Sequence, residues 1–489
     1  MIESKFISWD QIVNYLQTFI PSQTSTKGYA AKDWGLSRTK RFLTYLKDPQ
    51  EKMQVFHIGG TSGKGSTSFL ASQILSSQGL KTGLHLSPYL LDFRERFIID
   101  NELPSEDLLV KRFNEFHQFL IKFLQLEETL LTYFEIINCW AFYLFEKEKV
   151  DVAVIEVGMG GRFDATNCVQ NPNKICIINQ TGLDHTEFLG ETVEEIATEE
   201  AEVIQPENPV VLIHQQFLKA QNIFLQKIKE QNSKYSLVKG YWMLVSKEET
   251  KESSFPEVLK QNSIKTLDNL DFKVLNIAQN RFEYFSIIKQ KWIQISLKMK
   301  GDFQVVNTSL ALRAVEIYFQ KKNLKFDFNS ALKILKQIQF KGRFEEILVE
   351  NKVWILDSAH NSQKMTSFIK NLKKYYPNQK FIFFLAFSDG KNFKEMLDLL
   401  LDISDTIIFT NFKIKTQGAS KKSLKLEEIE EYLNKTNQTI KTFFISDPFK
   451  AFLKTKEIYK QSQKKLVVTG SIYFLSQVYE ILETKQETL

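Results

Sequence analysis

Cysteine is scarce. Cys139, Cys168 and Cys176 are the only three in 489 residues; an odd number without metal-ligand spacing excludes a closed disulfide framework, so they read as core thiols of a chain kept reduced. Long apolar runs are missing as well. No stretch reaches the roughly 18 residues that a membrane span needs, and the N-terminus MIESKFISWDQIVNYL carries charge before any apolar run. The expectation is a cytoplasmic protein with neither a signal peptide nor a membrane contact. Charge of one sign is also lacking: Lys and Arg number 64 against 58 Asp and Glu, a net charge of +6. The lysines are interleaved with glutamates and form no arm, which argues against nucleic acid as a partner. No short-period repeat is visible. What remains is an ordinary globular composition, 43% hydrophobic and 25% charged, in a chain long enough for two or three domains.

Glycine is sparse at 19 residues, yet Gly59, Gly60, Gly63 and Gly65 fall together in MQVFHIGGTSGKGSTSFL (53–70). An apolar run before them reads as a buried strand, and Ser66 to Gln78 carries helical apolar spacing that Gly79 ends. Strand, glycine turn and helix make a phosphate cradle. Main-chain N–H groups of Gly60, Thr61, Ser62, Gly63, Lys64, Gly65 and Ser66 can close around an anion, the helix N-terminus adds its positive end, Lys64 adds a charge, and Ser66 offers a hydroxyl to Mg²⁺. Only Thr61 and Ser62 separate Gly60 from Gly63, a spacing shorter than the usual GxxxxGK[ST].

Helical spacing over 8–20 and 37–47 precedes this stretch. After it come a strand at 81–86 ended by Ser87-Pro88, amphipathic helices at about 105–125 and 132–147, and strands at 150–158, 174–178 and 209–213. Apolar strands alternating with helices predict a parallel sheet covered on both faces, with ligands at the carboxyl ends of the strands. Residues 225–300 read as antiparallel hairpins, with exposed loops around 246–266. From Gly301 the alternation restarts: helices near 304–320 and 328–337, then strands at 353–356, 380–386, 406–409, 441–445 and 465–469. The expected fold is α/β, a P-loop-containing N-terminal domain with a mostly parallel sheet over 1–300 and a smaller Rossmann-like α/β domain over 301–489.

Three further polar clusters sit at strand ends. Glu156 closes a buried strand opposite the cradle, placed to hold Mg²⁺ directly or through water, or else to pair with Arg162. The glycines that follow, Gly158, Gly160 and Gly161, suggest close approach by a ligand. His185, after Asp184, is structural or a ligand for a divalent cation. In DSAHN (357–361), Asp357 can accept from a ribose hydroxyl and His360 can donate to a phosphate, or the segment is an Asx turn. Arg343 clamps phosphate oxygens or pairs with Glu345 or Glu346.

In this order the motifs resemble the folylpolyglutamate synthase and dihydrofolate synthase branch of the Mur ligases over nearly the whole chain. The family's cradle GTxGKGS matches Gly60 to Ser66, and GLxR matches Gly35, Leu36 and Arg38. SPxL and ER match Ser87, Pro88, Leu90, Glu95 and Arg96, while TxFE matches Thr132, Phe134 and Glu135. EVGxGGRxDATN matches 156–167 and LDH matches 183–185; QxxN, GRFE, DxAHN and VTGSxY match Gln304 with Asn307, 342–345, 357–361 and 468–473. The resemblance implies an ATP-dependent ligase, a monomer that phosphorylates a folate or dihydropteroate carboxylate and lets the amino group of L-glutamate attack the acyl phosphate. It implies ATP and Mg²⁺ as cofactors, with K⁺ as a candidate second cation. By carry-over Ser66, Ser87, Glu156 and His185 are the Mg²⁺ set. Asn307, Arg343, Asp357 and His360 are nucleotide contacts from the second domain, and Lys64, Glu156, His185 and Glu200 are the catalytic group.

The sequence departs from that pattern at several places. Where the family's EKAGI carries a carbamylated lysine, this chain has Glu199, Glu200, Ala201, Glu202 and Val203, so that Glu200 brings a permanent carboxylate on a shorter side chain. Ser358 stands for Gly, Ser362 for Pro, Tyr89 for the His of SPHL and Phe303 for the His before Gln304. Two other readings stay open: a different Mur-type ligase, against which only about 60 residues precede the cradle, and a nucleotide-binding protein that has lost ligation.

Overall fold

The computed structural model describes residues 5–20, 36–126, 131–170, 174–240, 270–276, 279–412, 422–435 and 440–486. Gly35 and the loops expected around 246–266 lie outside these residues.

Seven strands form the first sheet: β1 (Gln54–Gly59), β2 (Thr82–His85), β3 (Ile98–Ile99), β4 (Val152–Glu156), β5 (Ile175–Ile178), β6 (Val210–Ile213) and β7 (Tyr235–Val238). Their order is β3-β2-β4-β1-β5-β6-β7, parallel except for β3. The inner strands are buried along their length, as strands with helices on both faces must be. Register decides where the site falls. Ile58 pairs with Glu156 and Gly59 with Ile178, so the glycine turn, Glu156 and the segment after β5 emerge side by side at the carboxyl edge.

Two of the quoted motifs turn out to start and brace a helix. Thr132 caps Tyr133–Lys147 by accepting from the Glu135 amide, and Glu135 accepts in return from the Thr132 amide at 2.7 Å. The Arg38 Nε donates to the same Glu135 carboxylate at 2.6 Å, tying the Leu36–Tyr45 helix to it. The three cysteines are buried and unpaired, as core thiols.

The reading of 225–300 as antiparallel hairpins needs correction at its start. β7 joins the first sheet in parallel, and antiparallel pairing begins with β8 (Phe272–Asn276), β9 (Arg281–Ser286) and β10 (Lys291–Ser296), a separate three-stranded sheet. Glu316 fastens that sheet: it accepts from the Tyr284 hydroxyl at 2.7 Å, the Ile287 amide at 3.1 Å and the Ser286 hydroxyl. It lies on the helix Asp302–Lys321, which is buried around most of its circumference and therefore lacks a one-sided apolar stripe. This helix packs on Lys64–Ser76, and with Phe328–Leu335 it shares the core of the first sheet.

The second sheet has β11 (Glu345–Val349), β12 (Lys352–Leu356), β13 (Phe381–Leu385), β14 (Ser404–Phe409), β15 (Lys441–Phe444) and β16 (Leu466–Thr469) in the order β11-β12-β16-β13-β14-β15. The last five are the strands expected from the sequence. β11 is an antiparallel edge strand that the sequence reading missed, because its outward face is exposed and interrupts the apolar run. Among the described residues no helix is long and apolar enough to cross a membrane.

Candidate active site

The cradle is built from bare backbone. Gly60 has φ +113° and Gly63 φ +91°; a Cβ on the first would lie 2.9 Å from Asn179 Cβ and on the second 2.5 Å from Asn307 Oδ1, so a side chain is excluded by strain and by space. The amides of Thr61 and Ser62 do not face an anion. They donate to the Gln180 carbonyl at 2.9 and 3.0 Å, an isolated bridge just past β5. The amides of Gly63, Lys64, Gly65 and Ser66 have no acceptor within the Lys64–Ser76 helix, because intrahelical bonding begins with Thr67 N to Gly63 O. These are the donors that a helix start offers to an anion. The Lys64 Nζ folds over the turn and donates to the Gly60 carbonyl at 2.6 Å.

Glu200 lies beneath the turn and is 2% exposed. Its two oxygens meet the hydroxyls of Thr61 at 2.9 Å and Thr181 at 2.6 Å. Burial pushes its carboxyl up to about 7, against the pull of Lys64 and the two hydroxyls. Asn307 is also a support. It takes the Thr67 hydroxyl at 3.3 Å and stands against Gly63, on a helix that belongs to the first core.

Glu156 accepts from the Ser87 amide at 3.0 Å, and a Cβ on Gly65 would sit 3.3 Å from its Oε1. The bare Gly65 thus lets this carboxylate reach the first turn of the helix, next to Ser66. Burial raises its pKa, while Lys64, the Ser87 amide, Arg343 and Lys364 oppose the rise. Arg162 is not its partner; it pairs with Glu199 at 3.1 Å and Glu202 at 3.6 Å. The glycines after Glu156 let protein groups pack closely against the backbone. A Cβ on Gly158 would strike Phe134 at 2.4 Å, one on Gly160 would meet Leu189 at 2.7 Å and one on Gly161 the Glu199 carbonyl at 2.6 Å.

The second sheet brings its own groups to this edge. Arg343 pairs with neither Glu345, which accepts from the Gly342 amide and Tyr479, nor Glu346, which pairs with Lys300. Its charge is felt at Glu156 and Asp357. Asp357 spends both oxygens on amides, those of Phe344 and Ala359 at 2.8 Å, so it forms the Asx turn; burial raises it to about 6. His360 Nδ1 lies 2.9 Å from the Ser358 carbonyl and Nε2 lies 3.1 Å from Lys364 Nζ. Burial and neighbouring Lys364 hold it well below its usual value, so the ring is neutral.

Asp184 joins the two halves. It accepts from Lys391 Nζ at 2.6 Å and from Asn361 Nδ2 at 2.8 Å, while Ser62 Oγ donates to Gln363 Oε1 at 3.0 Å. Burial would raise the Asp184 carboxyl, but Lys364, His185, His360 and Lys391 overcome it and hold it far below the carboxylate range. His185 has φ +52° at the start of Thr186–Leu189, and its amide donates to Asp184 at 3.0 Å. Ser66 is buried in the first turn. Among the described residues no trio of His, Cys, Asp or Glu converges on one point; the oxygen donors at the cradle are one carboxylate, Glu156, with hydroxyls.

The Mur ligase middle-domain model matches residues 58–315, more than half of the chain, and the C-terminal domain model of dihydrofolate synthetase matches 340–481. The chain belongs to the folylpolyglutamate and dihydrofolate synthase branch of the Mur ligases. This Mur ligase is 26% identical to the dihydrofolate synthetase of Saccharomyces cerevisiae over 461 residues, 92% of this chain and 98% of the yeast one. It is 27% identical to the dihydrofolate synthase/folylpolyglutamate synthase of Bacillus subtilis over 452 residues, 92% and 95% of the two chains. The Mycobacterium tuberculosis folylpolyglutamate synthase complexed with ADP shares the fold, with a TM-score of 0.78 at 21% identity over 96% of this chain and 97% of that one.

Sequence reasoning on this Mur ligase missed Gln363, Lys364 and Lys391. His360 lies ahead of the extended N-cap Asn361 of the Ser362–Tyr375 helix, so no helical spacing links it to Lys364. We expect Asp184→Ala to cost about 3 kcal/mol in urea unfolding, since it leaves Lys391 and Asn361 without their shared acceptor in a nearly buried place. The lost contribution has a pH signature. The folded pKa is depressed, so the stabilisation is present in full above the unfolded carboxylate value of about 4 and fades as pH falls further. The gap between wild type and variant should therefore narrow on acidification; a gap constant down to pH 3 would contradict the ion pair.

Proposed function

We propose that this Mur ligase adds L-glutamate to dihydropteroate, to folates, or to both, at the expense of ATP. The γ-phosphoryl group passes to an acceptor carboxylate oxygen and ADP leaves. The glutamate amino nitrogen then attacks the acyl carbon, phosphate leaves, and the nitrogen loses a proton to give an amide. The observation that carries this reading is the convergence at one sheet edge of an anion-facing helix start, Lys64 and Glu156, with Arg343 arriving from the second sheet. A phosphoryl group in transfer needs positioning and cations more than covalent chemistry, which these residues offer.

The site's donors fit Mg²⁺, which takes one or two carboxylates plus substrate phosphates, because Gly65 leaves room for Glu156 beside Ser66. Ser66, Ser87 and Glu156 would hold it, and it would neutralise phosphate charge. Lys64 bridges back to the turn and supplies a fixed charge, while Glu200 fixes Thr61. The link through Asp184 and Gln363 keeps the two halves closed and so shields an acyl phosphate from water. The core packing supports a division of the chain near residue 340 in place of 300. We assign the enzyme to the cytoplasm, as a monomer.

Purified protein with ATP, Mg²⁺ and labelled glutamate should yield a product one glutamate heavier from dihydropteroate or tetrahydrofolate, read by mass. Nucleotide binding without product from either acceptor would favour the reading as a binding protein that has lost ligation.

A further inference from the structure

His360 has no hydrogen to offer a phosphate. A carbonyl only accepts, so the Nδ1 facing Ser358 O at 2.9 Å carries the ring hydrogen; an ammonium only donates, so the Nε2 facing Lys364 at 3.1 Å is the lone pair. Both nitrogens are committed. What the imidazole holds is the ammonium of Lys364, in the first turn of the helix that follows. Besides this bond, Lys364 has, among the described residues, one long ion pair, 3.9 Å to Asp184 Oδ2, an oxygen that already accepts from Asn361 at 2.8 Å. Lys391 takes the other Asp184 oxygen at 2.6 Å. An ammonium with three hydrogens is thus aimed by a neutral ring and weakly engaged otherwise.

Its helix, Ser362–Tyr375, starts on the cradle. The neighbouring Gln363 accepts from Ser62 at 3.0 Å and fills the space over Gly182, where a Cβ would lie 2.6 Å from it. The charge of Lys364 is felt at Glu156, and Lys364 in turn feels Lys64, Arg343 and Lys391. Burial and these like charges push its pKa down to about 8. Cations crowded to mutual cost suit a site completed by a polyanion.

We propose that Lys364 binds the terminal phosphoryl group of a nucleoside triphosphate seated in the cradle, with His360 as the residue that positions it. Cradle amides engage the inner phosphates and the cradle lysine reaches outward, so a donor arriving from the opposite half meets the outermost group. The proposal rests on the nucleotide reading of the cradle.

Calorimetric titration with Mg²⁺-ADP and with the Mg²⁺ complex of the β,γ-methylene analogue of ATP tests it. Lys364→Met should lose at least tenfold in affinity for the triphosphate analogue while its ADP affinity stays within twofold, and Lys364→Arg should recover most of the loss. His360→Ala should lose part of the same increment. If the Met variant fails to fold, Lys364→Gln serves, the helix surface there being partly exposed. Equal losses for both nucleotides, or none, would overturn the role of Lys364. Wild-type protein that binds neither nucleotide would bring down the cradle reading itself, and this proposal with it.

Discussion

Lys64→Ala is expected to reduce ATP-dependent amide formation by about 10³-fold or more at saturating ATP. Two effects add. The first is direct: the ammonium that closes over the turn on the Gly60 carbonyl at 2.6 Å is the cation nearest the helix start, and charge that develops on a phosphoryl group there loses its counterpart. The second runs through the carboxylates. Lys64 is the largest electrostatic influence opposing protonation of both Glu156 and Glu200, whose burial already raises them. Without it, both move further towards the neutral acid, and Glu156 weakens as an oxygen donor to a cation. Stability should change little, by about 1 kcal/mol, because one part-buried hydrogen bond is lost. Product formation and the urea midpoint, measured together, separate these effects. Turnover within tenfold of wild type in a folded variant would remove Lys64 from the reaction and with it the assignment of the cradle.

How much of this site can be read from the chain depends on how local the information is. The cradle is legible because strand, turn and helix are contiguous and the glycines at 60 and 63 have φ above +90°, where side chains are strained. Glu156 is legible because a carboxylate at the end of an apolar strand is rare, and the buried strands of both sheets announce themselves by composition. What the chain leaves open is equally physical. Gly158, Gly160 and Gly161 look like a ligand loop, but bare backbone is also what Phe134, Leu189 and the 193–201 helix need in order to pack closely, and sequence does not distinguish the two uses. Helix Asp302–Lys321 follows a glycine and opens a new α/β run, so it looks like the start of a domain. It is buried on nearly all sides and packs in one core with the first sheet. The junction is the least legible part. Ser62 with Gln363, Asp184 with Asn361 and Asp184 with Lys391 are 301, 177 and 207 residues apart, and no periodicity reaches that far.

Glu200→Gln should separate stability from catalysis. The carboxyl of Glu200 has an ordinary value of 4.5 and is raised to about 7 in the fold, burial being the largest cause. A raised acid stabilises the native state most where both states are protonated, below about 4.5, and that contribution is lost as pH rises through 7. Above 7 the buried charge costs on the order of 3 kcal/mol relative to the neutral acid. Glutamine removes the titration while keeping the shape. Its carbonyl can still accept from one threonine, its amide can donate to the other, and Thr61 can turn its hydrogen to the Gly182 carbonyl at 3.1 Å. The variant should therefore match wild type near pH 5 and exceed it at pH 8 in thermal unfolding. Activity should move the other way. If the charge of Glu200 beside Lys64 takes part in the chemistry, wild-type turnover rises with pH through about 7, whereas the glutamine variant falls by about 10²-fold and loses that rise. Normal turnover with a stabilised fold would instead reduce Glu200 to a peg that holds Thr61 to Thr181. The wild type would then bear its destabilising charge for no catalytic return, an outcome the stability–function trade-off makes hard to sustain at a residue buried beneath the cradle.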